Sequence, residues 1–134
     1  MKRKLFVDSF FYIALLNRKD QHHKNAAEVS RTIGGSEFWT TDLILVEFAN
    51  GCRQLSLRLP AARLIRRLAL EPDTRIVHLT QDLFEKAVSR YESRRDKAWS
   101  LTDSLSFVVM EENGIEEALT GDAHYSQAGF RRLL

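Results

Sequence analysis

Four acidic residues of this 134-residue chain stand in apolar company. Asp8 directly follows Lys4-Leu5-Phe6-Val7, Glu47 lies inside LILVEFAN, Asp103 inside SLTDSLSFVVM, and Asp122 just past Glu117-Ala118-Leu119-Thr120. A charge buried without a partner costs several kcal/mol, so each of these positions asks for a reason. If the four carboxylates met in one cleft they would repel, unless positive charge stood between them. A hard divalent cation, Mg²⁺ or Mn²⁺, is the remedy for a set made only of oxygen ligands. Such an ion lowers the pKa of a water and stabilises charge on an attacked phosphate. Each acid alone also has an ordinary structural role. Asp8 and Asp122 suit turns or helix N-caps, and Glu47 an exposed helix face. Asp103 suits a cap of its own helix, or a place just after a Thr102 cap. Whether the four converge depends on the elements that carry them.

Lys4–Val7 is a short continuous apolar run, the mark of a strand buried on both faces. Asp8-Ser9 opens FFYIALLN as a deeply packed helix, and DQHHKNAAEVSRTI reads as a more amphipathic one ended by Gly34-Gly35. Glu37–Thr40 reads as a second strand. Thr41 or Asp42 then caps LILVEFANGCRQL, with Leu43, Leu45 and Val46 expected to face inward. Pro60 suits the first turn of AARLIRRLALE, and Pro72 ends it. Arg75–Leu79 is a third strand. Thr80 caps a helix running to about Arg95, with Leu83, Phe84, Ala87 and Tyr91 at helical spacing. The helix holding Asp103 closes at Asn113-Gly114, Glu117–Thr120 is a fourth strand, and Phe130–Leu134 a short fifth. Strands alternating with helices predict one α/β domain over residues 1–134 on a mostly parallel sheet. In such a sheet all strands end on one edge, where ligands bind. Asp8 and Asp122 fall at that edge, and helices that follow strands bring Glu47 and Asp103 to it.

Composition narrows the classes. With 44% hydrophobic and 28% charged residues the chain reads as a soluble globular domain. Its 20 Lys and Arg nearly balance 18 Asp and Glu, but Arg58, Arg63, Arg66, Arg67, Arg94, Arg95, Lys97, Arg131 and Arg132 are clustered. Cys52 is the single cysteine, which rules out an internal disulfide and a thiolate zinc site. Lys2-Arg3-Lys4 before an apolar run resembles the start of a signal peptide. Asp8 interrupts that run, and no small-residue cleavage pattern follows. No apolar stretch is long enough to cross a bilayer, so the expectation is a cytoplasmic protein with no membrane partner. His22 and His23 are adjacent on a helix with diverging rings, His124 reads as a loop residue that could touch substrate, and Trp39 and Trp99 read as packing residues, with Trp99 near enough to the site entrance that it could stack on a base.

In that order, LFVDSFFYIALLN, LILVEFANG, SLTDSLSFVVM and LTGDAHYSQAGFRRLL resemble the motifs of PIN-domain ribonucleases, especially VapC-type toxins of toxin–antitoxin pairs. The resemblance covers nearly the whole chain, and the last two motifs are the most specific. It implies that Asp8, Glu47, Asp103 and Asp122 form the family's acidic quartet, with Asp8 and Asp103 as direct ligands of Mg²⁺ or Mn²⁺. It implies supporting roles for the hydroxyls of Ser9, Thr41 and Thr120. It further implies an RNA substrate, a cognate antitoxin and room for a homodimer. Gly121 departs from the bulkier residue common before the last aspartate. Rivals fit less well. A haloacid-dehalogenase-like phosphatase would want an aspartate where Phe10 stands, and a response-regulator receiver would want an acidic pair before Asp8. A housekeeping RNA-processing nuclease, or an RNA-binding or interaction module without catalysis, remains the alternative.

Overall fold

A computed structural model describes residues 1–134. The chain runs β1 (Lys4–Val7), α1 (Ser9–Leu16), α2 (His23–Ser30), β2 (Glu37–Thr41), α3 (Asp42–Gly51), α4 (Leu55–Leu70), β3 (Thr74–Val77) and α5 (Gln81–Ser93). It continues with α6 (Leu101–Glu112), β4 (Glu117–Leu119), α7 (Ala123–Gln127) and β5 (Arg131–Arg132). The strands form one sheet in the order β3-β2-β1-β4-β5, and every ladder in it is parallel. The expected α/β class is therefore the one found.

The strand order carries a functional consequence. The chain lays strands outward from β1 on one side, then crosses back to place β4 and β5 on the other. The reversal falls between β1 and β4, where Val7 pairs with Leu119. A crevice opens beyond the strand ends at such a reversal, because the flanking connections leave in opposite directions. Asp8 follows β1 and Asp122 lies just past β4, so the two aspartates flank it.

Burial follows from the helices covering both faces. Leu5, Phe6 and Val7 of β1 are buried, and with Phe11, Tyr12, Ile44, Phe48, Phe107, Met110 and Tyr125 they belong to one core cluster. α6 is the most enclosed helix: every residue from Asp103 to Met110 is buried. It packs against α5, whose outer face carries the charges. No helix is long and apolar enough to cross a membrane.

Several boundaries and faces differ from the sequence-based expectation. Thr41 caps α3 by accepting a hydrogen bond from the Ile44 N–H at 3.2 Å. That sets the helix phase so that Ile44, Leu45 and Phe48 face the core, while Val46 turns outward at 55% exposure. α4 begins at Leu55, so Pro60 sits inside it rather than in its first turn. The turn ahead of the proline is held locally: the Leu57 and Arg58 N–H groups donate to the Gln54 carbonyl, and the Arg58 guanidinium donates to that of Arg53. α2 starts at His23, three residues later than its motif, and α5 ends at Ser93 with Phe84 and Tyr91 exposed. Asp122 caps a short helix, α7, so His124 is helical and not a loop residue.

Candidate active site

Asp8 is the N-cap of α1 and is only 4% exposed. One carboxylate oxygen accepts from the Ser9 N–H at 2.9 Å, and the other accepts from the Thr120 hydroxyl at 2.7 Å. Thr120 in turn accepts from the Asp122 N–H at 3.0 Å, so one hydroxyl ties the ends of β1 and β4 together. Burial pushes the Asp8 pKa up to about 7. Thr120 opposes the rise, and the charges of Glu47, Asp103 and Asp122 add to it. All three other members of the sequence-derived quartet thus act on Asp8 within one electrostatic neighbourhood.

Asp103 helps to close the start of α6 and also faces the other acids. Ser100 is the N-cap of α6, accepting from the Asp103 N–H at 3.0 Å, while the Asp103 carboxylate accepts from the Ser100 N–H at 3.1 Å. This is a reciprocal capping box, with Asp103 as its third helical residue, not the cap itself. The same side chain, in a residue 7% exposed, faces Asp122 and His124. Burial raises its pKa and Asp122 adds to the rise, while the Ser100 amide and His124 work against it.

Glu47 is placed differently. It is exposed on α3 at the rim, and its carboxylate accepts a hydrogen bond from the Ser9 hydroxyl. Ser9 thereby joins the Asp8 and Glu47 ends of the site. The Thr41 hydroxyl is engaged in capping α3.

The tightest group of potential ligands contains one residue the quartet lacks. Asp103, Asp122 and His124 each offer a ligand atom, and these atoms all lie within 4.8 Å of one another. Donors around one six-coordinate ion at 2.0–2.1 Å stand about 3 to 4.2 Å apart, so this group is close to the spacing that a single cation requires. His124 Nδ1 is 3.3 Å from Asp103 Oδ2 and 3.2 Å from Asp122 Oδ1, yet it is buried without a hydrogen bond to either. A second buried orphan is the Tyr125 hydroxyl, on a residue 0% exposed, which lies beside Asp8 and Ser106. Buried polar atoms without partners are costly, and their clustering here is what a divalent ion with its waters would relieve. The residues present therefore fit such an ion, with an imidazole nitrogen added to the oxygen ligands. Asp8 is outside this tight group, and its two oxygens are engaged by the Ser9 N–H and the Thr120 hydroxyl.

Sequence reasoning missed His124 as a potential ligand, and it missed Tyr125 altogether. The available signal was the spacing Asp122-Ala123-His124-Tyr125: an N-cap aspartate followed by a helical turn returns its second residue to the carboxylate. Asp122 indeed accepts from the His124 N–H at 2.9 Å. His22 and His23 do diverge, one ring tilted against Phe10 and the other bonded to the Ala14 carbonyl. Trp99 is a packing residue, set edge-on against Phe107.

Two concave surfaces border this geometry. An open cavity of about 1000 Å³ is lined by Tyr91, Arg94, Arg95, Lys97, Trp99, Ser100 and Leu101, next to the Asp103 capping box. An apolar groove of about 660 Å³ lies between α1 and α4, lined by Phe11, Tyr12, Leu15, Leu16, Leu64 and Leu68 with Arg63 and Arg67 among them.

The family model described as PIN domain matches residues 5–131. The 23S rRNA-specific endonuclease VapC20 of Mycobacterium tuberculosis is 29% identical over 133 residues, covering 94% of this chain and 95% of that protein. The crystal structure of VapC20, described as a sarcin-ricin loop cleaving toxin, aligns with a TM-score of 0.84 at 28% identity, over 94% of this chain and 95% of that one. DNA-bound VapBC from Salmonella typhimurium has a chain with a TM-score of 0.63 at 10% identity, covering 98% of this chain and 97% of that one. FitAcB from Neisseria gonorrhoeae gives 0.64 at 12%, over 97% and 96% of the two chains. The last two are likenesses of fold.

Proposed function

The chain belongs to the PIN domain family, and on that premise we propose that it is a divalent-metal-dependent endoribonuclease acting as the toxin of a toxin–antitoxin pair. The observation that carries this reading is the meeting of Asp103, Asp122 and His124 near the sheet's reversal point, with Asp8 in the same electrostatic neighbourhood and burial raising the Asp8 and Asp103 pKa values. Carboxylates held in that state without an enclosing cation are destabilising, so their presence points to function.

Asp103, Asp122 and His124 would hold Mg²⁺ or Mn²⁺, and Asp8 would join them directly or through water. Imidazole tilts the choice toward Mn²⁺, since Mg²⁺ prefers oxygen alone. The ion supplies charge that polarises a phosphate oxygen and makes a nearby water more acidic. Thr120 and Ser9 orient Asp8 and Glu47 through the bonds described. Glu47, open to solvent at the rim, accepts the proton of the attacking water. The water oxygen bonds to phosphorus, and the displaced ribose oxygen leaves with a proton from solvent. Arg132 stands close by: it donates to the Gly121 carbonyl at 2.8 Å and to the Ser126 hydroxyl at 2.7 Å, which fixes a cation beside the residue preceding Asp122. With Arg94, Arg95 and Lys97 it frames the acidic centre with groups suited to RNA phosphates.

VapC20 is named for 23S rRNA, and a structured ribosomal RNA is the first substrate to test here. The apolar groove supports the toxin role over a housekeeping one, because an amphipathic helix from an antitoxin fits between α1 and α4, with acidic residues meeting Arg63 and Arg67. The site of action would be the cytoplasm. Purified protein should cut ribosomal RNA with Mn²⁺ and stop with EDTA. Expression alone should arrest growth, and the neighbouring gene should relieve it. RNA left intact under all metal conditions would overturn the nuclease, and harmless expression of an active nuclease would overturn the toxin.

A further inference from the structure

We infer that Phe10, seated on Gly121 and paired with His22, is a nucleobase-stacking platform at the mouth of the acidic site, taking the base of a nucleotide beside the cleaved phosphate. The inference rests on the RNA-cleaving reading above and names the feature of the substrate held there.

Phe10 begins a run of three aromatic residues in α1. Phe11 and Tyr12 are buried in the core, whereas Phe10 is half-buried and packs against neither the core cluster nor its margin. Its contact is instead across the site. A Cβ built on Gly121 would lie 2.6 Å from Phe10 Cζ and 2.8 Å from Cε1, with Cε2 at 3.2 Å. Gly121 does not have positive φ, so conformational freedom is not what requires glycine there; space for the ring is. Only the tip of the ring touches Gly121, which leaves its faces for other rings. His22 takes up that role at a centroid distance of 4.7 Å and a tilt of 46°. The pair therefore stands on the backbone next to Asp122 and two residues from Asp8.

Neither Phe10 nor His22 lines the apolar groove between α1 and α4, so a helix docked in the groove would leave them uncovered. A phosphate drawn between the carboxylates brings its flanking bases to this wall. Unpaired bases stack on aromatic rings irrespective of sequence, and RNA is read chiefly through such splayed bases. The half-exposed ring beside an anionic site thus has a ligand of matching chemistry.

The test uses the full chain with Mn²⁺ and an RNA oligonucleotide that the wild type cuts, together with versions carrying one abasic nucleotide at each position flanking the cut. One abasic position should raise KM by about tenfold in the wild type. Phe10→Leu should raise KM for the intact RNA by about the same factor, leave kcat within about twofold, and erase the abasic penalty. Phe10→Trp should restore both. Gly121→Ala, which keeps the phenylalanine but displaces its ring, should reproduce the Phe10→Leu loss. The platform is overturned if Phe10→Leu keeps the wild-type abasic penalty, or if its only effect is weaker binding of the antitoxin. A wild type that cuts RNA without any abasic-sensitive neighbour overturns the platform alone, while one that cuts no RNA overturns the nuclease reading beneath it.

Discussion

The apolar groove between α1 and α4 and the acidic crevice at the ends of β1 and β4 are built on opposite principles. The groove, of about 660 Å³, offers Leu15, Leu16, Leu64 and Leu68 with little that could react. The crevice concentrates three buried or half-buried aspartates, an orphaned imidazole nitrogen and an orphaned phenol. Apolar surface therefore points to a partner and charge density points to chemistry. The groove leaves apolar surface whose burial by a partner would lower the free energy, whereas the crevice raises it, through desolvation and repulsion, until something cationic enters.

If that contrast is right, damage to one region should spare the other. The largest effect is expected from Asp103→Asn. Its carbonyl still accepts from the Ser100 N–H, so α6 stays capped, but cleavage should fall at least about 1000-fold, or 4 kcal/mol. Single-turnover cleavage at saturating Mn²⁺ measures it, and antitoxin binding should be unchanged. Next comes the pH dependence of the metal-free protein. Asp8 holds its proton up to about pH 7 when folded but loses it near 3.8 when unfolded, so stability declines as pH rises between those values. Urea melts in EDTA should show a loss on the order of 2–3 kcal/mol from pH 5 to pH 8. Asp8→Asn should flatten that slope, and saturating Mn²⁺ should reverse it. A slope unchanged by Asp8→Asn would show that the crevice is not the strained region.

Leu64→Ala tests the groove. Affinity for the antitoxin should drop by about 2 kcal/mol, read by calorimetry, while cleavage by the free protein stays within about twofold. Equal losses in both would merge the regions into one. The smallest effect is expected from Ser100→Ala, which removes half of the capping box. Stability should fall by about 1 kcal/mol, and cleavage several-fold, because the Asp103 amide loses its acceptor and the start of α6 is held only by the bond from the Ser100 N–H to the Asp103 carboxylate.

Much of this arrangement was legible before folding was considered. Lys4–Val7 as a strand, the helix opened by Asp8-Ser9 and the parallel sheet follow from local apolar patterns and turn chemistry, which act over a few residues. The nomination of Asp8, Asp103 and Asp122 needed only the rule that parallel strands end on one edge. Faces and boundaries set by neighbouring elements were not legible. Val46 and Leu43 look alike in the sequence, and the Thr41 cap decides which way each turns. The proline in α4 suggests a start that the capping carbonyls of Arg53 and Gln54 override. Asp103 appeared to require a choice between cap and site residue, yet the capping box leaves its carboxylate able to serve both.

The sequence by itself pointed to the kind of chemistry, because four carboxylates brought to one sheet edge would repel one another unless a cation joined them. Only the tertiary structure decided which atoms meet. His124 enters the ligand group through a single turn of α7, Glu47 is left at the rim tethered to Ser9, and Phe10 leaves the core to sit on Gly121. Those outcomes depend on distances of a few ångströms between residues more than a hundred positions apart, such as Thr120 and Asp8. Local preference cannot encode such contacts, since it is the closing of β4 against β1 that creates them.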